Sequence, residues 1–156
     1  MTSRHLMSTP LARQLLSPER IDPLVSDLVA LIHSHVSTRG GLRGMTLRTG
    51  LGLLKSTRPD LLERAVRRLL PEFAVALEPL HQQSQAQGEP HFSRFLQGHA
   101  GAAIEALLRV ADARAAQAGS AGVRSTYQRL RGIAEDELRQ VLPRLGELIE
   151  ARLRAP

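Results

Sequence analysis

Residues 59–73 read Pro59-Asp60-Leu61-Leu62-Glu63-Arg64-Ala65-Val66-Arg67-Arg68-Leu69-Leu70-Pro71-Glu72-Phe73. Leu62, Val66, Leu69 and Phe73 recur every three or four positions, while Asp60, Arg64, Arg67 and Arg68 fall on the opposite side of a 3.6-residue turn. This division predicts an amphipathic helix opened by Pro59, whose missing amide hydrogen is not needed in a first turn. The apolar stripe continues in phase through Ala76, Leu77 and Leu80. Pro71 removes one helical hydrogen bond and crowds the turn before it, so a kinked or briefly broken helix is expected there.

Working outward, residues 41–56 are harder to read. Gly44, Gly50 and Gly52 weaken a helix, yet Leu42, Met45, Leu47, Leu51, Leu53 and Leu54 show none of the alternation of a strand. A helix is expected, its glycines offset by close backbone approach to a neighbour. Gly40-x-x-x-Gly44 and Thr46-x-x-x-Gly50 have the spacing of a small-residue packing seam, and the interleaved arginines place that seam in a soluble helix pair. Before it, Asp22-Pro23 is a helix-start signal followed by Leu24, Val25, Leu28, Val29, Ile32 and Val36, with a stop at Gly40-Gly41. Residues 1–20 read as an arm, with Leu11, Leu15 and Leu16 making a short docking turn.

On the C-terminal side, Gln82 to Glu89 is a glutamine-rich linker, and Pro90 to Leu96 begins a short helix. Ala102 to Ala118 forms another helix, stopped at Gly119. A long final helix carries Val123, Tyr127, Leu130, Leu138, Val141, Leu145 and Leu148 and is interrupted at Pro143. Nothing reads as strand. The expected architecture is an all-α, single-domain bundle of about six helices over residues 21–156. It would comprise two related three-helix halves, 21–86 and 90–154. Gly40 falls on Gly119 and Pro71 on Pro143 when the halves are laid together, with extra chain near Leu51 to Pro59.

A chain of 156 residues is long enough to bury one core without staples. Cysteine is absent, which excludes disulfides, thiolate nucleophiles and Cys-ligated zinc. No signal-peptide core or run of about 18 apolar residues occurs, so a cytoplasmic chain without transmembrane insertion is expected. The net charge of +6 is uneven: residues 1–70 hold 11 basic and 5 acidic side chains, and residues 71–90 hold none and three.

Candidate chemistries fail on detail. Thr49 to Ser56 faintly resembles a phosphate loop, but Leu54 stands where glycine must precede Lys55. Glu78-x-x-His81 has the spacing of one half of a carboxylate-bridged metal site, and its counterpart is missing. An enzyme would need a buried pocket gathering His81, His91 or His99 with Glu78. Glu135, Asp136 and Glu137 read as solvated ion pairs with Arg131 and Arg139, and His33 and His35 as surface or boundary residues. No cofactor, metal or catalytic residue is expected.

The segments Arg39-Gly40-Gly41-Leu42-Arg43-Gly44, Leu69-Leu70-Pro71-Glu72-Phe73 with Leu77-Glu78-Pro79, and Val110-Ala111-Asp112-Ala113-Arg114 resemble a family of short uncharacterised helical proteins from high-GC bacteria. The resemblance implies a helical cytoplasmic protein and supplies no catalytic residues. The preferred expectation is a non-enzymatic interaction protein, binding a protein partner or itself through its arginine face or glycine-rich helix. The alternative is nucleic-acid association, with Arg43, Arg48, Lys55, Arg64, Arg67 and Arg68 on phosphates. No aromatic side chain lies between Gly40 and Glu72 to stack on bases.

Overall fold

The computed structural model describes residues 10–57 and 59–154. The start of the expected arm, residues 1–9, lies outside the described residues. Within them the chain forms seven helices and no strand: α1 (Leu11–Leu15), α2 (Pro18–Thr38), α3 (Gly41–Thr57), α4 (Leu61–Ala86), α5 (Phe92–Gly98), α6 (Ala100–Ala116) and α7 (Ala121–Arg154). The chain is an all-α bundle.

Four prolines sit inside helices without ending them. Helix α2 begins at Pro18, four residues before the Asp22-Pro23 signal, and Pro23 lies inside it. Helix α4 is continuous through Pro71 and Pro79, and α7 through Pro143. A proline within a helix orphans the carbonyl four residues earlier. Here those carbonyls belong to Glu19, Arg67, Val75 and Arg139, all exposed residues where water can satisfy them. Asp22, freed from the capping role, accepts a hydrogen bond from Arg67 Nη1 at 2.7 Å. The glutamine-rich segment is helical as far as Ala86 and ends in a turn at Gly88, where φ is +72°.

The two longest helices organise the bundle. Helix α7, 34 residues long, spans about 50 Å at 1.5 Å per residue. Each of the other five helices packs on both α4 and α7, and among the described residues α4 and α7 make no backbone-level contact with each other. The core between them takes Leu11 and Leu15 from α1, Leu24 and Val25 from α2, and Leu70, Leu77 and Leu80 from α4. Phe92, Phe95 and Leu96 of α5, Ala103 and Leu107 of α6, and Leu142 and Ile149 of α7 complete it. Each fully buried leucine or phenylalanine contributes about 1.5–3 kcal/mol by leaving water.

Helix α5 crosses α7 very closely: a Cβ on Gly146 would stand 2.9 Å from the Ser93 Cα, so glycine is required there. One turn on, Glu150 accepts hydrogen bonds from the Ser93 amide at 3.0 Å and the Ser93 hydroxyl at 3.1 Å, supplying an acceptor for the orphan donors of the α5 N-terminus. Burial alone would raise the Glu150 pKa. The Ser93 bonds, His91 and the Arg154 charge outweigh it and bring the value to about 2.

A candidate interaction surface on helix α3

Helix α3 is the one helix of the seven described that contributes no side chain to the core or to the partly buried shell around it. Its sequence, Gly41-Leu42-Arg43-Gly44-Met45-Thr46-Leu47-Arg48-Thr49-Gly50-Leu51-Gly52-Leu53-Leu54-Lys55-Ser56-Thr57, has five leucines, a methionine and no acid. At 100° per residue those apolar groups divide between two faces. Leu47, Leu51 and Leu54 sit half-buried on the inner side beside the buried Gly44 and Gly50. Leu42, Met45 and Leu53 point outward and are 82%, 59% and 43% exposed, interspersed with exposed Thr46, Thr49, Gly52 and Ser56. Among the described residues, α3 is covered on one of these faces.

The inner side is held by glycine contacts and charge. Gly41, at φ +71°, takes a left-handed conformation that costs other residues energy and turns the chain from α2 into α3. A Cβ on Gly44 would lie 1.9 Å from the Arg39 carbonyl oxygen, and one on Gly50 would meet Leu130 of α7 at 3.1 Å. In place of the expected approach to the backbone of a neighbouring helix, Gly44 backs onto the α2–α3 turn and Gly50 onto a side chain of α7. Arg48 Nη1 donates to the same Arg39 carbonyl at 3.0 Å.

Electrostatic anchoring converges on Glu137 of α7, whose side chain is 8% exposed. Its carboxylate accepts from Arg39 Nε at 3.0 Å and Nη2 at 3.0 Å, from His35 Nε2 at 2.8 Å and, more weakly, from Arg43 Nη1 at 3.5 Å. Arg43 Nη2 also donates to Asp136 at 3.0 Å. Arg144 Nη2 stands 3.3 Å from His35 Nδ1, on the ring edge opposite the Glu137 contact. Burial by itself would raise the Glu137 pKa, and hydrogen bonds from Arg39 and His35 outweigh it, so the group lies below the usual carboxylate value. Glu137 is thus no solvated ion pair of its own helix, as its neighbours Glu135 and Asp136 suggested. It is an inward-turned anchor for partners about 100 residues away in sequence, and nothing local marks it.

The residues singled out as phosphate contacts meet different fates. Arg43 pairs with Asp136 and Glu137, Arg67 with Asp22, and Arg64 lies 3.8 Å from Asp60. Arg48 bonds a backbone carbonyl while its residue stays exposed. Lys55 and Arg68 are exposed and have no partner among the described residues.

The histidines go to separate partners. His81 is buried edge-on against Phe92 with ring centroids 5.1 Å apart, His99 stacks on Phe95 at 4.0 Å, and His91 contacts Glu150 at 3.1 Å. Glu78 accepts from the Leu11 amide. Among the described residues no three His, Asp or Glu side chains are grouped to hold a metal. An open groove of about 510 Å³ between α6 and α7 includes Ile104, Leu108, Arg109, Asp112, Arg131 and Glu135. Its central charges are satisfied by each other and by Tyr127: Asp112 accepts from Arg131 Nε at 2.9 Å and from the Tyr127 hydroxyl at 2.5 Å. Among the described residues no helix is long and apolar enough to cross a membrane.

No curated protein and no solved structure matches the chain. A family model does match, described as a family of unknown function, DUF6918, and it takes in every helix from α1 to all but the last residue of α7. On that match, over residues 11–153, the chain belongs to the DUF6918 family.

Proposed function

We propose that this chain is a non-enzymatic helical interaction protein and that the outer face of α3 is its contact surface. The observation that carries the reading is the outward stripe of Leu42, Met45 and Leu53 on a helix that gives the core nothing. Scattered exposed apolar residues need no explanation, and Val75 on α4 is one. Three on one face of one helix, held rigidly from behind by glycine contacts and the Glu137 cluster, make a prepared surface. The cytoplasm is the compartment we propose, in keeping with a chain that carries no cysteine.

Phosphate binding through the arginines has weaker support, because Arg43 and Arg67 are occupied by carboxylates of the chain itself. Salt-titrated binding to a random duplex would expose it by a steep loss of affinity with salt. The direct test of the preferred reading is a photo-crosslinking residue at position 45 or 53, with position 75 as control, irradiated in the cells that make the protein. Adducts from α3 and not from position 75 are expected. No adduct from α3, or equal adducts from all three positions, contradicts it.

A further inference from the structure

We propose that the occupant of the outer α3 face is an amphipathic helical segment of another protein, apolar along one stripe and acidic along the edge beside it. This rests on the reading of α3 as a contact surface and names the chemistry that fits it.

Charge is the first reason. Helix α3 has three cations and no acid, and among the described residues only Arg43 is paired with carboxylates. Arg48 and Lys55 are exposed and, at positions i and i+7, share one edge of the apolar stripe. A docking segment with Asp or Glu along the matching edge meets two cations and no anion from α3.

The second reason is Gly52. Gly44 and Gly50 are explained by what a Cβ would strike, but a Cβ on Gly52 meets nothing within 4 Å. A glycine inside an exposed helix weakens it, and this one brings no packing in return among the described residues. Lying between Met45 and Ser56 on the outward face, it leaves a notch where another helix can approach closely. From Leu42 to Leu53 the stripe runs about 16 Å, the reach of a helical segment of three turns.

A second copy fits less well. A two-fold axis across α3 sets the copies antiparallel and places Arg48 and Lys55 beside the same cations of the other molecule. A lipid surface also fits less well, since the stripe has three large apolar side chains, no aromatic residue and hydroxyls at Thr46, Thr49 and Ser56.

The test sequences the adduct formed from position 45. The expected product is a peptide from a different protein, helix-forming and with an excess of Asp and Glu. Arg48→Glu with Lys55→Glu, and separately Gly52→Gln, should each lower its yield by about tenfold. Gly52→Gln should melt no lower than the parent, and Lys55→Glu alone, which gives up no bond within the described residues, should keep the parent's melt and still lower the yield, as a control for the Arg48 bond to the Arg39 carbonyl. Synthesised and added to the purified protein, that peptide should bind with a Kd that rises about tenfold from roughly 0.05 to 0.5 M salt. An adduct to a second copy, to a lipid or to a basic segment overturns this proposal and leaves α3 as a contact surface. Yields or a Kd that ignore charge and Gly52 also overturn it. Absence of any α3 adduct defeats the underlying reading instead.

Discussion

Arg39 grips Glu137 with a forked contact, Nε and Nη2 each 3.0 Å from a different carboxylate oxygen, and so ties the turn between α2 and α3 to the middle of α7. Sequence neighbours of neither residue supply this bond. It is one of the contacts that hold α3 in place, beside the approach of Gly50 to Leu130 and the half-buried Leu47, Leu51 and Leu54.

Removing the carboxylate should therefore cost more than a surface ion pair. Glu137→Leu leaves Arg39 and Arg43 without their shared acceptor, and because Arg39 is partly exposed the expected loss is roughly 2–4 kcal/mol. Urea unfolding measures it. Hydrogen exchange should show the amides of α3 losing protection before those of α4. A loss within 0.5 kcal/mol, about that of an ordinary surface change, would mean that α3 is held by other contacts.

Three glycines of α3 should respond in opposite senses. Gly44→Ala forces a methyl into the Arg39 carbonyl and should destabilise by about 2–4 kcal/mol. Gly41→Ala, at φ +71°, should cost about 1–2 kcal/mol. Gly52→Ala meets open space and should stabilise by about 0.5–1 kcal/mol. Thermal melts of the three variants check the ordering, and a destabilising Gly52→Ala would show that this glycine serves the fold.

Helical periodicity made α2, α4, α6 and α7 legible, because apolar residues such as Leu70, Leu77, Leu107 and Ile149 turn inward every three or four positions. The prolines misled: Pro23 reads as a helix start and Pro143 as an interruption, and both lie inside continuous helices, since a local rule cannot tell whether the orphaned carbonyl will face water. The weak pattern of residues 41–56, troublesome as a helix signal, was itself the mark of a helix with two apolar faces. Which face would lie open depended on packing that the linear chain does not display. Glu137 was unreadable for the same reason, its partners His35 and Arg39 lying far away in sequence. The duplication of halves 21–86 and 90–154 stays a proposal. In its support, Gly40 and Gly119 both stand between helices, and Pro71 and Pro143 both lie inside the long helices α4 and α7.

Stability should fall on mild acidification through His81. Burial lowers its pKa below the ordinary 6.5, and the nearby Glu78 offsets this only in part. Below that value the unfolded chain takes up a proton that the folded chain resists, so stability is full above about pH 6.5 and declines as pH falls. His81→Leu should flatten the decline in urea midpoints between about pH 6.5 and 5. An unchanged slope would assign the decline to other groups.

A second acid step belongs to Glu150. With its pKa brought from 4.5 to about 2, it adds stability above its ordinary value, and that contribution disappears as pH falls from 4.5 towards 2. Glu150→Gln should remove this step and loosen the start of α5, visible as faster exchange of the Ser93 amide. Retention of the full acid step in the variant would contradict the assignment.

Because the chain contains no cysteine, Met45→Cys and Val75→Cys each create a unique thiol, at positions 59% and 64% exposed in the parent. Their rates of maleimide labelling, compared in the purified protein and inside cells, test most directly whether the outer face of α3 is occupied. Similar rates are expected in the purified protein and, in cells, a roughly tenfold slowing at position 45 alone, as about nine-tenths occupancy requires. Equal rates at the two positions in both settings would contradict it.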